Sequence, residues 1–506
     1  MRYPLPTTRA DELWPIWHLS GLPEEGAICP YDPNGALYWN GRYHVMYIYQ
    51  DRALPQGGHC WGHYSSADLV NWECHPPCLV PQPGDPDVGI FSANAFVNKD
   101  GVPMLCWCGI GAGVCVATAL DDDLIHWQKH PSNPIIPQPF KEGDPGWGEY
   151  SVWDPFLWLE GDQYCCLLAG NRLPDGKDTL YVAVSDDLVN WEYLHPFYEH
   201  ADPQWTLNSE DCSCPDFFKL GDKWVLQCIS HVIGVRCYIG DFDRANWKFH
   251  PEKHLRMNWA GGTYFAQESL LSPDGRRVFW GWVTDARVHA TREATGSGVM
   301  SMPRVLELTE DHTLRITPAQ ELQALRGNHR ALAARDITNG ELLLDEVSGT
   351  SYELALTLDA GDATAVGLKL HCSPEGKEET AIWYDAVRGR IIIDMTWSTL
   401  RDDVTYNMGP IGIYSLGSHA DDKQSTNTVE APFALAEGEL LKLRVFVDGP
   451  LIEVFANDRQ CVTQQVFPAL PESRQVRLCA RGGTARLVEG EAWDLAAMEF
   501  VNNKNA

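Results

Sequence analysis

Tyr31-Asp32-Pro33-Asn34-Gly35-Ala36-Leu37-Tyr38-Trp39-Asn40-Gly41-Arg42-Tyr43-His44-Val45-Met46-Tyr47 is the stretch from which the fold is read. Two aromatic-rich runs flank Asn40-Gly41, the pair that best supplies the positive φ values of a two-residue hairpin turn. Ahead of them, Asp32-Pro33-Asn34-Gly35 has the residue order of a type I turn, with Asp first, Pro second and Gly fourth. Taken alone, Asp32 reads as a structural turn residue.

The pattern recurs. Ser92-Ala93-Asn94-Ala95-Phe96-Val97 turns at Lys99-Asp100-Gly101 into Met104-Leu105-Cys106-Trp107. Asp154-Pro155-Phe156-Leu157-Trp158 turns at Gly161-Asp162, Cys214-Pro215-Asp216-Phe217-Phe218 at Gly221-Asp222, and Gln267-Glu268-Ser269-Leu270-Leu271 at Asp274-Gly275. In phase with these copies an aspartate precedes a tryptophan by four residues: Asp68 and Trp72, Asp123 and Trp127, Asp187 and Trp191, Asp243 and Trp247. These pairs read as turn residues with an aromatic wedge between sheets, and carry no chemistry. Repeats of about 40–60 residues built from short strands and Gly/Asp turns predict a β-propeller, and five copies predict five blades.

Each repeat opens with its innermost strand, so the residues that open the copies crowd around one channel. Asp32 opens the first copy and Asp154 the third, while Glu210, Asp211 and Asp216 surround the opening of the fourth. Carboxylates far apart in sequence thereby converge.

The propeller pattern fades after Arg304. Pro318 to Gly327 reads as a short connecting helix, with Pro at its start and Gly at its end. From about residue 335 apolar and polar residues alternate, with Tyr352, Leu354, Leu356 and Leu358 on one face. Leu443, Val445 and Val447 return through Asp448-Gly449 into Leu451 to Phe455, the pattern of half-buried antiparallel strands in a sandwich. The expected organisation is all-β: a five-bladed propeller over 1–317, a helical linker over 318–334 and a β-sandwich over 335–506. No convergent acids or histidines mark the sandwich.

The 506 residues exceed one typical domain, and a net charge of -30 argues against nucleic-acid and anionic-membrane partners. A neutral small-molecule carbohydrate is the favoured partner. With no signal segment and no membrane-length apolar run, the expectation is a cytoplasmic protein. Of the sixteen cysteines, many (Cys106, Cys108, Cys165, Cys166, Cys228) lie inside apolar runs as small hydrophobes. Cys212-Ser213-Cys214 lacks a matching second pair, so no metal and no cofactor are expected.

A funnel of carboxylates lined with aromatics suits a sugar, although most of the 20 tryptophans are expected in blade packing. Glycoside cleavage needs one carboxylic acid to protonate the leaving oxygen and one carboxylate across the anomeric carbon. Two close acids push their pKa values apart, which lets one stay protonated. Serine-nucleophile chemistry is disfavoured because no Gly-x-Ser-x-Gly elbow is present. Gly109-Ile110-Gly111-Ala112-Gly113 reads as a loop between strands.

At these residues the chain resembles the family 32 glycoside hydrolases, the invertase, levanase and inulinase group. The resemblance is carried by Asp32-Pro33-Asn34-Gly35, Trp61 to Trp72, Phe91-Ser92-Ala93-Asn94-Ala95, Asp154-Pro155, Cys214-Pro215-Asp216, Gly298 to Arg304 and Ile452 to Asn457, in that order. It implies hydrolysis of β-fructosidic bonds through a covalent fructosyl-enzyme, with Asp32 as nucleophile and Asp154 as transition-state stabiliser. It also implies substrate contacts from Tyr31, Asn34, Gln50, Trp61, Phe91, Ser92 and Trp153. The family's acid/base glutamate directly precedes Cys-Pro, where this chain has Ser213. Glu210 and Asp211 lie just upstream, and Glu210 has the longer reach, with Asp211 as the alternative. Tyr31 and Trp153 also depart from the family's asparagine and arginine at those places. Fructosyl transfer, or sugar binding without catalysis, are the competing expectations.

Overall fold

In a computed structural model the described residues are 13–20, 32–51, 58–171, 178–199, 205, 211–231, 234–259, 261–284, 298–401, 404 and 427–503. Five sheets of short antiparallel strands follow one another along the first part of the chain. Their opening strands are Pro33–Trp39, Ala95–Val97, Trp153–Glu160, Ser213–Leu220 and Tyr264–Leu271. Each packs on the opening strands of its neighbours, the fifth closing onto the first, which makes a ring of five blades around a channel.

Blade one begins where the sequence reading placed it. Trp39 pairs with Arg42 across Asn40 (φ 45°) and Gly41 (φ 79°), the double positive φ of a tight hairpin. Asp32-Pro33-Asn34-Gly35 is not a free turn, however. Pro33 and Asn34 already pair with Tyr47 and Met46, and the Asp32 carbonyl accepts the Ile48 N–H at 3.0 Å. The neighbouring strand takes the carbonyl that a turn would need, and the irregularity appears instead as a bulge between Asn34 and Leu37. Gly35 sits in it at φ +54°. A Cβ there would meet Met46, Leu105 and Trp61 at 3.2–3.3 Å, so only glycine fits without displacement.

Bulges recur at the same place in the opening strands of blades three, four and five. In these the chain takes a positive φ at Asp154, Cys214 and Ala266. A bulge re-aims the side chains at a strand's mouth, and its repetition aims the mouths of several blades alike.

The aspartate–tryptophan repeat is structural. Asp68, Asp187 and Asp243 each accept two backbone N–H groups from the turn that follows. In blade two Asp121, not Asp123, has this role, binding the N–H groups of Ile125 and His126 at 2.9 Å.

A 3-10 helix, Gln320–Leu325, leads out of the propeller, and strand pairing resumes at Arg326. The connector is therefore shorter than the expected 318–334. The second domain is an eleven-stranded antiparallel sheet folded into a sandwich. Its 21-residue strand Gln475–Leu495 pairs in turn with Arg326–Leu332, Arg335–Ser348, Ser351–Asp359 and Ala365–Cys372. Tyr352, Leu354, Leu356 and Leu358 are buried in its core with Leu443, Val445 and Val447. Beyond the sandwich the chain returns: Phe500–Asn502 pairs in parallel with Trp72–Leu79 and becomes the outer strand of blade one. The end of the expected sandwich segment thus belongs to the propeller's edge. Among the described residues no helix is long and apolar enough to cross a membrane.

Candidate active site

The mouth of blade one presents Asp32, and the bulged mouth of blade three presents Asp154. Cys214, at the corresponding bulge of blade four, lies between them. Its Sγ is 3.7 Å from Asp32 Oδ2 and 3.4 Å from Asp154 Oδ2, and its N–H donates to Asp154 Oδ2 at 3.3 Å. Ser92, from the approach to blade two, donates from Oγ to Asp32 Oδ2 at 3.0 Å. Four blades thus meet at one pair of carboxylates.

Among the described residues, few donors serve this pair. Burial raises Asp32 above the usual carboxylate range, against the pull of the Ser92 hydrogen bond and the nearby His231 charge. Asp154 is pushed up to about 7: burial dominates, His231 opposes it, and the charge of Asp32 adds to it. The Cys214 thiol is raised well above its ordinary value by burial and by the two acids, so it stays protonated between them.

Asn34 is buried with both ends of its amide occupied. Nδ2 donates to the Asp32 carbonyl at 2.9 Å and Oδ1 accepts the Ala93 N–H at 2.9 Å, which ties the strand of Asp32 to blade two. Asn34 thereby braces the Asp32 backbone. Trp61, expected to contact substrate, is 0% exposed. It packs in the core beneath Gly35, where no sugar can stack on it. Phe91 and Trp153 directly precede Ser92 and Asp154, are half-buried, and pack with ring centroids 5.2 Å apart. Tyr31, Glu210 and the side chain of Gln50 lie outside the described residues.

The acids expected around blade four behave differently from one another. Asp216 is buried against Arg277 at 3.1 Å and accepts from Ser269 Oγ, the pairing of a structural acid. Neighbouring Glu268 is raised well above its ordinary value, by burial and then by the charge of Asp216. Asp211 accepts the His231 N–H at 2.8 Å and Ser213 Oγ at 2.6 Å, and its carboxylate is paired with the His231 ring. Burial would raise Asp211, but these bonds outweigh it and hold the carboxylate below its usual range. An acid held ionised is poorly placed to arrive protonated at a leaving group.

Sequence reasoning passed over His231 and the orientation of Cys214. His231 follows the second strand of blade four, Lys223–Ser230, where no motif marks it. Cys214 stood inside a motif, and its place between two carboxylates needed the repeat register to be seen.

The family description "Glycosyl hydrolases family 32 N-terminal domain" matches residues 26–318, and "Glycosyl hydrolases family 32 C terminal" matches 321–494. The chain is 27% identical to the sucrose-6-phosphate hydrolase of Escherichia coli, over 96% of each protein. It is 26% identical to a beta-fructofuranosidase, insoluble isoenzyme 2, of Daucus carota, over 93% of this chain and 87% of that one. The fold superposes on the fructan 1-exohydrolase IIa of Cichorium intybus with a TM-score of 0.82 at 21% identity, covering 97% of this chain and 99% of that one. Two matched domains across nearly the whole length, with the expected propeller and sandwich beneath them, place this protein in glycoside hydrolase family 32.

Proposed function

We propose that the protein hydrolyses β-fructosidic bonds with retention of configuration, through a covalent fructosyl-enzyme. One observation carries the reading: Asp32 and Asp154, from blades one and three, converge on a single thiol at the mouths of the blades. The names of the relatives, among them a levanase of Bacillus subtilis, supply the substrate class.

In this reading the Asp32 carboxylate attacks the anomeric carbon of the fructosyl unit. The glycosidic oxygen takes a proton as its bond to that carbon breaks. Water then attacks the anomeric carbon from the face the leaving group vacated, opposite Asp32, gives its proton to the group that acted as acid, and frees Asp32 as a carboxylate. Asn34 and Ser92 hold Asp32 in place. Asp154 binds ring hydroxyls, accepting when ionised and donating when protonated, and its position near pH 7 gives it both states. The acid/base is assigned to Glu210, because its neighbour Asp211 is held ionised by His231. Phe91 and Trp153 offer an aromatic wall to the sugar.

The test is incubation of the full chain with sucrose, sucrose 6-phosphate, inulin and levan, followed by analysis of the sugars. Free fructose from at least one of them is the expected result. Longer oligomers would move the reading to transfer, and binding without turnover of any fructoside would remove it.

A further inference from the structure

Blade four contributes a charge that the reaction scheme leaves unused. Ser213 pairs with Ile229, so His231, two residues further on, stands at the same mouth as Cys214. Asp211 grips it twice, through the backbone N–H to Oδ1 at 2.8 Å and through ring Nδ1 to Oδ2. Asp211 is itself fixed: Ser213 Oγ donates to its carboxylate at 2.6 Å and Arg236 Nη2 to its carbonyl at 2.7 Å. The Phe265 ring lies edge-on to the imidazole at 5.9 Å. The ring is thereby held in one orientation, with Nδ1 directed at a carboxylate.

Among the described residues, the charged and titratable groups facing this imidazole are Asp211, which holds it, and Asp154 and Asp32, with the Cys214 thiol between those two. Burial works against its charged form. The Asp211 hydrogen bond and charge outweigh that, Asp154 and Asp32 add to them, and His231 rises above its ordinary value. The effect runs in the other direction as well. The His231 charge is the largest influence lowering Asp154, and on Asp32 it follows only the Ser92 hydrogen bond.

We infer that the Asp211–His231 pair is the built-in counter-charge of the carboxylate centre: His231, clamped by Asp211 at the mouth that carries Cys214, sets a cation against Asp32 and Asp154 and readies Asp32 to attack. His231 is on this account a positioning residue, acting through Asp32. The inference rests on the reading of Asp32 as nucleophile.

Two measurements on the full chain test it. In the first, kcat/KM on a cleaved fructoside is followed against pH for the wild type, His231→Asn and His231→Lys. Loss of the cation lets Asp32 keep its proton to higher pH, so the acid limb of His231→Asn moves up by about one unit. Its rate loss is then severe near about pH 5 and slight near about pH 8, and His231→Lys restores the limb. An equal loss at every pH, or a failure of lysine to restore the limb, overturns the inference. The second needs no turnover: Asp32 is titrated by ¹³Cγ NMR of labelled aspartate, assigned with Asp32→Asn. Its midpoint rises in His231→Asn and also in Asp211→Asn, which releases the imidazole; an unmoved midpoint overturns the inference. A midpoint that moves in a protein that cleaves no fructoside would defeat the proposed function and leave the counter-charge standing.

Discussion

Two sets of carboxylates in this molecule sit under opposite conditions. Where the propeller meets the sandwich, Asp448 and Glu453 are fully buried and saturated with donors. Asp448 accepts the backbone N–H groups of Ile16, Trp17 and His18 and the His18 ring. Glu453 accepts from His18 Nε2, the Met302 N–H and the Arg304 guanidinium. Burial would raise Glu453, but Arg304 and His18 outweigh it and hold it below the usual range. At the blade mouths, Asp32 and Asp154 have one hydroxyl, one thiol and one N–H as donors among the described residues, and both are raised. A saturated buried acid fastens domains together; an under-served pair retains free energy that a substrate's hydroxyls and a developing positive charge can satisfy.

The sharpest break of this comparison is Asp32→Ala. The expected loss of turnover is about four orders of magnitude or more, the scale seen when a covalent nucleophile is removed, with a thermal midpoint that does not fall. An equal loss of fold would make Asp32 a structural acid like Glu453. Next comes Arg304→Met, which strands a buried carboxylate. Urea denaturation is expected to give a destabilisation of about 3–5 kcal/mol, and a change under about 1 kcal/mol would mean that the interface is not saturated as described.

Asp154→Asn is expected to stabilise. A carboxyl whose folded pKa is raised from 3.8 to about 7 binds more protons folded than unfolded between those values. Stability therefore falls as pH rises through that window. The asparagine variant should gain on the order of 2–4 kcal/mol above pH 7, and nothing below about pH 4, while turnover drops. A gain that is flat with pH would show that Asp154 is not strained by its charge.

Much of the fold was legible because its signals are local. Asn40-Gly41 and the Gly/Asp turns after each inner strand are chain-neighbour chemistry, and so is the alternation around Leu354 and Leu443. The convergence of Asp32 and Asp154 was legible through the phase of the repeat. Where sequence reasoning failed, the deciding partner was distant in the chain. The Ile48 N–H turns Asp-Pro-Asn-Gly from a turn into a bulged strand. Trp72–Leu79 draws Phe500–Asn502 out of the sandwich. Trp61 looks the same in sequence whether it lines a pocket or a core, and only packing against Gly35 decides between them. His231 acquires its role from Asp211, 20 positions away.

The central claim is that Asp32 forms a covalent bond to the fructosyl unit, and trapping tests it most directly. An Asp32-competent protein whose deglycosylation is slowed, given a fructoside with a good leaving group, is quenched, digested and analysed by mass spectrometry. The account predicts one fructosyl residue on the peptide that carries Asp32, and none in Asp32→Asn. Rapid turnover with no adduct on that peptide, accompanied by transfer to methanol with inverted configuration, would contradict it.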